Sequence, residues 1–358
     1  MKQHKFPGRF GFRLPVLLAA GALLLTGCGS PDAAKGSGPS EAGESLTSVR
    51  VGLAVPTFNT SLINYVLQED LDAEHGLDMV ATMGGAGSTN QVAALRSGAF
   101  DIVGAGTATV VDANAEGADL VVVGGTGGLI NNIVLNSKVA DGLSVGPDAP
   151  TGERIKALRG LTIATSPPGS SSNATLRYLV KEYGLDPDKD LSIVPVNDPS
   201  AIVAGIRQGR FDGSFFGVGI ADVNIADGSG ELWVSLPRGD VESFNDLVGV
   251  VLITTRDYLA KNPEAVAAVH ASLAEAQQRV DDDPEQVGKV LHEKVFTDLD
   301  KDVFDTAWKQ AQGGFPQGAN FTPEGWQVYK DLFQPTSEKD FSTIRYEDLV
   351  APSARGES

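Results

Sequence analysis

Leu95-Arg96-Ser97-Gly98-Ala99-Phe100-Asp101 and Ile206-Arg207-Gln208-Gly209-Arg210-Phe211-Asp212 stand 111 residues apart and share one reading. In each, an apolar-periodic helix ends at a glycine, an aromatic residue follows, and an aspartate opens an apolar strand. Glycine closes a helix there because the left-handed C-terminal position costs it no Cβ clash. A second pair of landmarks lies upstream at nearly the same offset, 108: His75-Gly76-Leu77-Asp78 and Tyr183-Gly184-Leu185-Asp186. Working outward, the first set falls within a strand at 49–55, a helix at 61–75, a strand at 78–83, a helix at 88–96 and a strand at 102–104. The second falls within a strand at 161–164, a helix at 171–183, a strand at 191–196, a helix at 200–207 and a strand at 213–216. Both read β-α-β-α-β. Two landmarks repeated at matching structural places predict two α/β lobes of one architecture, each with a largely parallel sheet.

Residues 132–136 and 247–253 read as apolar strands that carry the chain between the lobes. Three of the helices that follow open alike, at Asn262-Pro263-Glu264, Asp283-Pro284-Glu285 and Thr322-Pro323-Glu324. Each has a capping side chain, proline in the first turn and an acid on the positive helix end. Val266, Val269, Leu273, Ala276 and Val280 form one stripe, so these helices are expected to cover a lobe rather than to build a site.

The amino terminus has its own logic. Residues 1–13 hold Lys2, Lys5, Arg9 and Arg13 and no acid, and an apolar stretch follows to Leu25-Thr26-Gly27-Cys28. The apolar stretch is too short for a comfortable bilayer span, which takes about 20 residues, and matches a signal peptide. Cys28 is the single cysteine, so neither a disulfide framework nor a CxxC metal site can be built. Residues 29–48, mainly Gly, Ser, Pro, Ala and acids, read as a flexible tether. The formal net charge is −18, and near −22 once residues 1–27 are removed. So acidic a surface repels phosphate backbones and disfavours nucleic acid as a partner.

Open parallel sheets bind ligands beyond the carboxyl ends of their strands, where helix N-termini point. Two such lobes face each other across a cleft whose loops are dense in Gly, Ser, Thr and Asn. Candidate ligand-binding residues are Thr57, Phe58, Asn59, Gly87, Ser88, Thr89, Thr107 and Asn131 from the first lobe. The second lobe offers Gly169, Ser170, Ser171, Ser172, Asp198 and Phe216. The same residue types also cap helices and make turns, and Phe58 suits a core equally. No loop has the GxxxxGK[ST] phosphate pattern, and Gly124-Gly125-Thr126-Gly127-Gly128 lacks a dinucleotide fingerprint's spacing. His75, His270 and His292 fall on helices, at positions read as exposed, without metal spacing. With no histidine or cysteine in a cleft loop, a nucleophilic triad has no parts. The carboxylates Asp198 and Asp222 could do acid–base work, but are equally turn or cap acids. No catalytic residue, metal or cofactor is implied.

Signal peptide, Leu-Thr-Gly-Cys, tether, duplicated lobes, the A-L-R-S-G-x-F-D pattern and Asn262-Pro263-Glu264-Ala265-Val266 together resemble ABC-importer substrate-binding proteins. The nearest group is the nitrate/sulfonate/taurine and thiamine-pyrimidine-precursor binding family, and the resemblance spans residues 49–333. It implies a two-lobed type II periplasmic-binding-protein-like fold with a C-terminal helical cover. It also implies a diacylglyceryl anchor on Cys28 at the outer face of a bacterial membrane, a cleft that closes on solute, and docking to a permease with its ATPase. A monomer is expected. Many relatives have an aromatic or Glu-Pro pair after the last strand of the second lobe; here Phe216-Gly217-Val218-Gly219 stands instead, so those contacts do not carry over. The eukaryotic pyrimidine-synthase cousins look cysteine-rich near their site, unlike this chain.

The expected division is a signal peptide at 1–27, a tether at 28–48, lobe one at 49–136, lobe two at 137–249, the return to lobe one at 250–350 and a disordered tail at 351–358. The expected function is binding and delivery of a small organic monoanion, a sulfonate or carboxylate, because the cleft loops contain no Lys or Arg to pair a multiply charged one. The alternative is a neutral or aminated heterocycle such as a pyrimidine, with Asp198 or Asp222 accepting its N–H groups. A tethered sensor or a hydrolase using Asp198 as base are further alternatives.

Overall fold

The structure, a computed structural model, describes residues 46–83, 87–168, 170–196 and 198–356. Cys28, the signal peptide, Gly169 and nearly all of the tether therefore lie outside the described residues.

The chain opens with β1 (Thr47–Leu53), helices α1 (Ser61–Gln68) and α2 (Leu71–Glu74), β2 (Leu77–Met83), α3 (Gly87–Arg96), β3 (Ile102–Gly106), α4 (Thr107–Ala115) and β4 (Leu120–Gly128). It crosses over into β5 (Asn131–Asn136), then runs through α5 (Ser137–Gly142), α6 (Thr151–Lys156), β6 (Thr162–Thr165), α7 (Ser171–Glu182) and β7 (Ser192–Pro195). Next come α8 (Pro199–Arg207), β8 (Gly213–Gly217), α9 (Asp222–Ala226) and β9 (Gly230–Ser235). A second crossover enters β10 (Val248–Thr255). The helices α10 (Arg256–Lys261), α11 (Pro263–Asp282), α12 (Pro284–Lys294), α13 (Lys301–Ala311), α14 (Pro323–Phe333) and α15 (Tyr346–Leu349) complete the described chain.

The strands form two five-stranded sheets, ordered β2-β1-β3-β10-β4 and β7-β6-β8-β5-β9. In each, the three strands of the repeat are parallel and the fourth is antiparallel. The fourth strand reaches its sheet by a crossover: β5 follows the first sheet's β4, and β10 follows the second sheet's β9.

Side chains alternate across each sheet, as a pleat with both faces covered requires. Along β4, Leu120 and Val122 face one cluster, with Val92, Val110 and Val111, while Val121 and Val123 face another, with Leu62, Val266 and Leu273. The cluster around Leu120 is continuous with one face of the second sheet, through Ile133, Phe215 and Trp233, and includes Trp326, Tyr329 and Phe333 of α14. The predicted stripe of α11 is buried at all five positions.

Several expectations are corrected. The helix predicted at 61–75 breaks at Asp70, whose φ of 51° is left-handed, a conformation aspartate tolerates. The cleft segments expected around Thr107 and Asn131 are largely regular structure: Gly106 ends β3, residues 107–109 open α4, and residues 125–128 and Asn131 belong to the facing ends of β4 and β5. Residues 132–136, assigned to lobe one, pair with β8 and β9 instead, so the sheets change at Leu129 and Ile130 rather than near Ser137. The tail expected to be free from Ala351 is held: the Ala351 N–H donates to the Val122 carbonyl at 2.9 Å, and Ala351 and Ala354 are fully buried. Of the three Pro-Glu helix starts, Asp283 and Thr322 cap with their side chains, whereas the Asn262 side chain turns back to donate to Tyr258. His75, His270 and His292, expected to be exposed, are all half-buried, and burial lowers the pKa of His270.

Candidate functional site

The carboxyl ends of both sets of parallel strands face a pocket of about 200 Å3. Asn59 enters it from a 3₁₀ turn (Phe58–Thr60) whose Asn59 Nδ2 donates to the Gly128 carbonyl at 3.3 Å. Thr107 opens α4 directly after β3, and its hydroxyl donates to the Val248 carbonyl at 2.6 Å. From the second sheet, Asn131 at the start of β5 donates through Nδ2 to Ser172 Oγ at 3.1 Å. Ser171 and Ser172 form the first turn of α7, whose N-cap Ser170 accepts the Asn173 N–H at 3.2 Å. First-turn N–H groups have no acceptor inside their own helix, and among the described residues those of Ser171 and Ser172 have no other backbone partner. The Ser172 oxygen already accepts from Asn131, which leaves its O–H free to donate.

Thus Asn59, Thr107, Asn131, Ser171 and Ser172 of the predicted residues meet in one pocket. No charged side chain lines it among the described residues.

The other predicted residues take different places. Phe58 is a core residue, stacked on Phe296 with centroids 4.8 Å apart and packed beside Phe304. Phe216 follows Phe215 on β8, and the pleat sends it to the far side of the sheet, against Ile202 and Ile206. Asp198 is an exposed N-cap, accepting the Ser200 N–H at 2.9 Å. Thr57 closes a capping box with Thr60, and Ser88 accepts the Gly106 N–H at 2.9 Å. Gly87, Thr89 and Ser170 are likewise absent from the lining, and Gly169 is not described. Asp222 is buried and does not line the pocket. Its Oδ2 accepts the Gly219 N–H and its Oδ1 accepts from Gln310 Nε2, both at 2.7 Å. Burial raises its pKa to about 6.

Sequence reasoning missed the Leu247-Val248-Gly249 segment, Tyr329 and Phe333, which line the pocket together with Ala108, Leu129 and Gly217 of the expected cleft segments. The second crossover brings in the first three. The aromatic pair comes from α14, where the spacing of Trp326, Tyr329 and Phe333 was a readable signal of one helix face.

A larger cavity, about 890 Å3, shares Leu129 and Leu247 but is otherwise lined by the segments around Pro237 and Asp246, the end of α13 and the turn after it. None of the predicted residues reaches it. The helix N-termini and parallel-strand ends converge on the smaller pocket, which is where an open α/β sheet places a ligand.

No group of His, Cys, Asp or Glu among the described residues is arranged to hold a metal. No helix among them is long and apolar enough to cross a membrane.

Comparison with known proteins supports this architecture. A search of curated proteins finds no match. Among solved structures, the alkanesulfonate-binding protein of Xanthomonas axonopodis pv. citri, bound to MOPS, is 21% identical with a TM-score of 0.57, covering 86% of this chain and 97% of that one. The periplasmic aliphatic sulphonate-binding protein of Escherichia coli is 19% identical with a TM-score of 0.57, over 74% and 79% of the two chains. The periplasmic nitrate-binding protein of Synechocystis PCC 6803 is 18% identical with a TM-score of 0.52, over 74% and 69%. At these identities the likeness shows the fold, which is that of the periplasmic binding proteins. The model of the NMT1-like family matches residues 42–291, most of the chain, and this protein belongs to that family.

Proposed function

We propose that this chain is the extracytoplasmic substrate-binding protein of an ABC importer, and that its pocket takes a small organic monoanion, a sulfonate or carboxylate. The observation that carries the reading is the lining itself. Asn59, Asn131, Ser171 and Ser172 supply neutral donors from both sheets, Thr107, its hydroxyl held by the Val248 carbonyl, lines the same volume, and no charged side chain joins them. A multiply charged anion would enter without a counter-charge, at a desolvation cost neutral donors do not offset. A single charge is held by hydroxyls, amides and the positive end of α7, which contributes about 0.3–1 kcal/mol and more when partly buried. The relatives named for sulfonates and nitrate are consistent with such a ligand. The heterocycle alternative loses its support, because Asp198 is an exposed cap and Asp222 lies off the lining.

A thermal-shift screen of the full chain with short sulfonates, carboxylates, phosphate esters and pyrimidines tests this. At a hundredfold excess over Kd a ligand adds about 2.7 kcal/mol of stability. Ser172→Ala should then weaken binding by about tenfold, the cost of one lost hydrogen bond. If pyrimidines or amines stabilise the chain and no monoanion does, the reading is wrong.

We further propose that Cys28 carries the lipid that holds the protein at the membrane, on the strength of Leu25-Thr26-Gly27-Cys28 behind its basic and apolar segments. Cys28→Ser should move the protein from the membrane fraction to the soluble one; a variant that still sediments with membranes refutes the anchor.

A further inference from the structure

The pocket has one side that neither sheet provides. Tyr329 and Phe333 of α14 form it, and α14 lies beyond residue 291, where the family match ends. Trp326, Tyr329 and Phe333 share one face of the helix by their spacing. The Tyr329 ring stacks on Trp326 at 5.8 Å, meets Phe333 at 4.6 Å and leans on Phe341 at 6.2 Å. Both lining residues are therefore buttressed from behind, at 4% and 8% exposure. Burial drives the Tyr329 phenol pKa well up, so this side of the pocket is uncharged at any working pH. The helix is fixed at its start by proline and by Thr322, whose Oγ1 accepts the Gly325 N–H at 3.1 Å. It also packs on α7, the helix whose first turn supplies Ser171 and Ser172. Polar donors and aromatic rings thus hold fixed places around one small volume.

We propose that α14 is a selectivity wall: Tyr329 and Phe333 set the length and bulk of the apolar body that the bound anion can carry. This rests on the monoanion reading above and adds to it the class of anion, one with a short apolar body packed against the rings. A rigid wall in about 200 Å3 discriminates by size, since one surplus or missing methylene in an apolar pocket changes affinity by tenfold or more.

The experiment measures affinities of methane-, ethane-, butane- and benzenesulfonate, the matching carboxylates and MOPS for the full chain and for two variants. Phe333→Ala removes the ring and should shift preference toward the bulkier anions by about tenfold relative to ethanesulfonate. Phe333→Trp adds bulk and should shift it the opposite way; it also serves if Phe333→Ala fails to fold. If the folded proteins bind these anions with one unchanged ranking, the wall is overturned while the binding reading stands. Should no sulfonate or carboxylate bind any of the three, the monoanion reading falls and the wall with it.

Discussion

Asp101 accepts the Arg50 backbone N–H at 2.9 Å, and Asp212 accepts that of Thr162 at 2.7 Å. In both sheets the backbone N–H of the same aspartate also donates to the carbonyl of the residue it clamps, at 2.9 Å. The repeated acid is therefore a clamp from the head of the third strand to the first strand, and the repeated glycines, Gly98 and Gly209, hold positive φ just before it. Asp222 is an aspartate of another kind, buried and without a cation. Its pKa rises from the ordinary 3.8 to about 6 because burial disfavours the charged form. In the folded state it holds a proton between those values that the unfolded chain has already released. Its stabilising contribution is therefore complete below about pH 4 and is lost as pH rises through 6, by about 3 kcal/mol in all. Urea midpoints compared between wild type and Asp222→Asn at pH 4.5, 5.5 and 6.5 check this. The variant should be less sensitive to rising pH, and parallel curves would remove Asp222 as the source.

At the scale of elements, the parallel strands and their helices were legible because period and punctuation agree. Gly76, Gly98, Gly184 and Gly209 all mark helix ends at positive φ, where the reading put them. What escaped was hidden by composition. The α4 segment is Thr-Ala-Thr-Val-Val-Asp-Ala-Asn-Ala, β-branched and small, and no side chain caps its start. The end of β4, Gly124-Gly125-Thr126-Gly127-Gly128, looks like a loop but is a fully buried strand. Its glycines answer a close approach: a Cβ on Gly128 would sit 2.7 Å from the Gly314 carbonyl oxygen. The site was half legible for the same reason. Loops at strand ends can be listed from local pattern, and five of the residues so chosen line the pocket. Nothing local tells which cap, such as Asp198 or Ser88, turns inward. Nor does the cap of α14, read correctly at Thr322-Pro323-Glu324, say that the far end of that helix reaches the cleft.

Over the whole molecule, the two sheets have matching strand orders, with β10 standing in one where β5 stands in the other. The match is not symmetrical along the chain. Every strand of the second sheet lies between Asn131 and Ser235, an unbroken run. The first sheet has its edge strand β4 laddered to β10, which begins after the whole second sheet has been traversed, with one bridge from Val122 to Val350 later still. Closing that loop costs chain entropy before the ladder between β4 and β10 can form. During refolding, then, the second sheet should close first, and β3 and β4 should wait with unpaired edges. Pulsed hydrogen exchange should show amides of β6 and β8 protected before those of β4, and simultaneous protection would contradict this order. The waiting edges are apolar, Val121 to Val123 among them, and unpaired apolar strands are where chains find wrong partners. The crossover that joins the lobes thus also sets the interval in which the newly made chain is most open to aggregation.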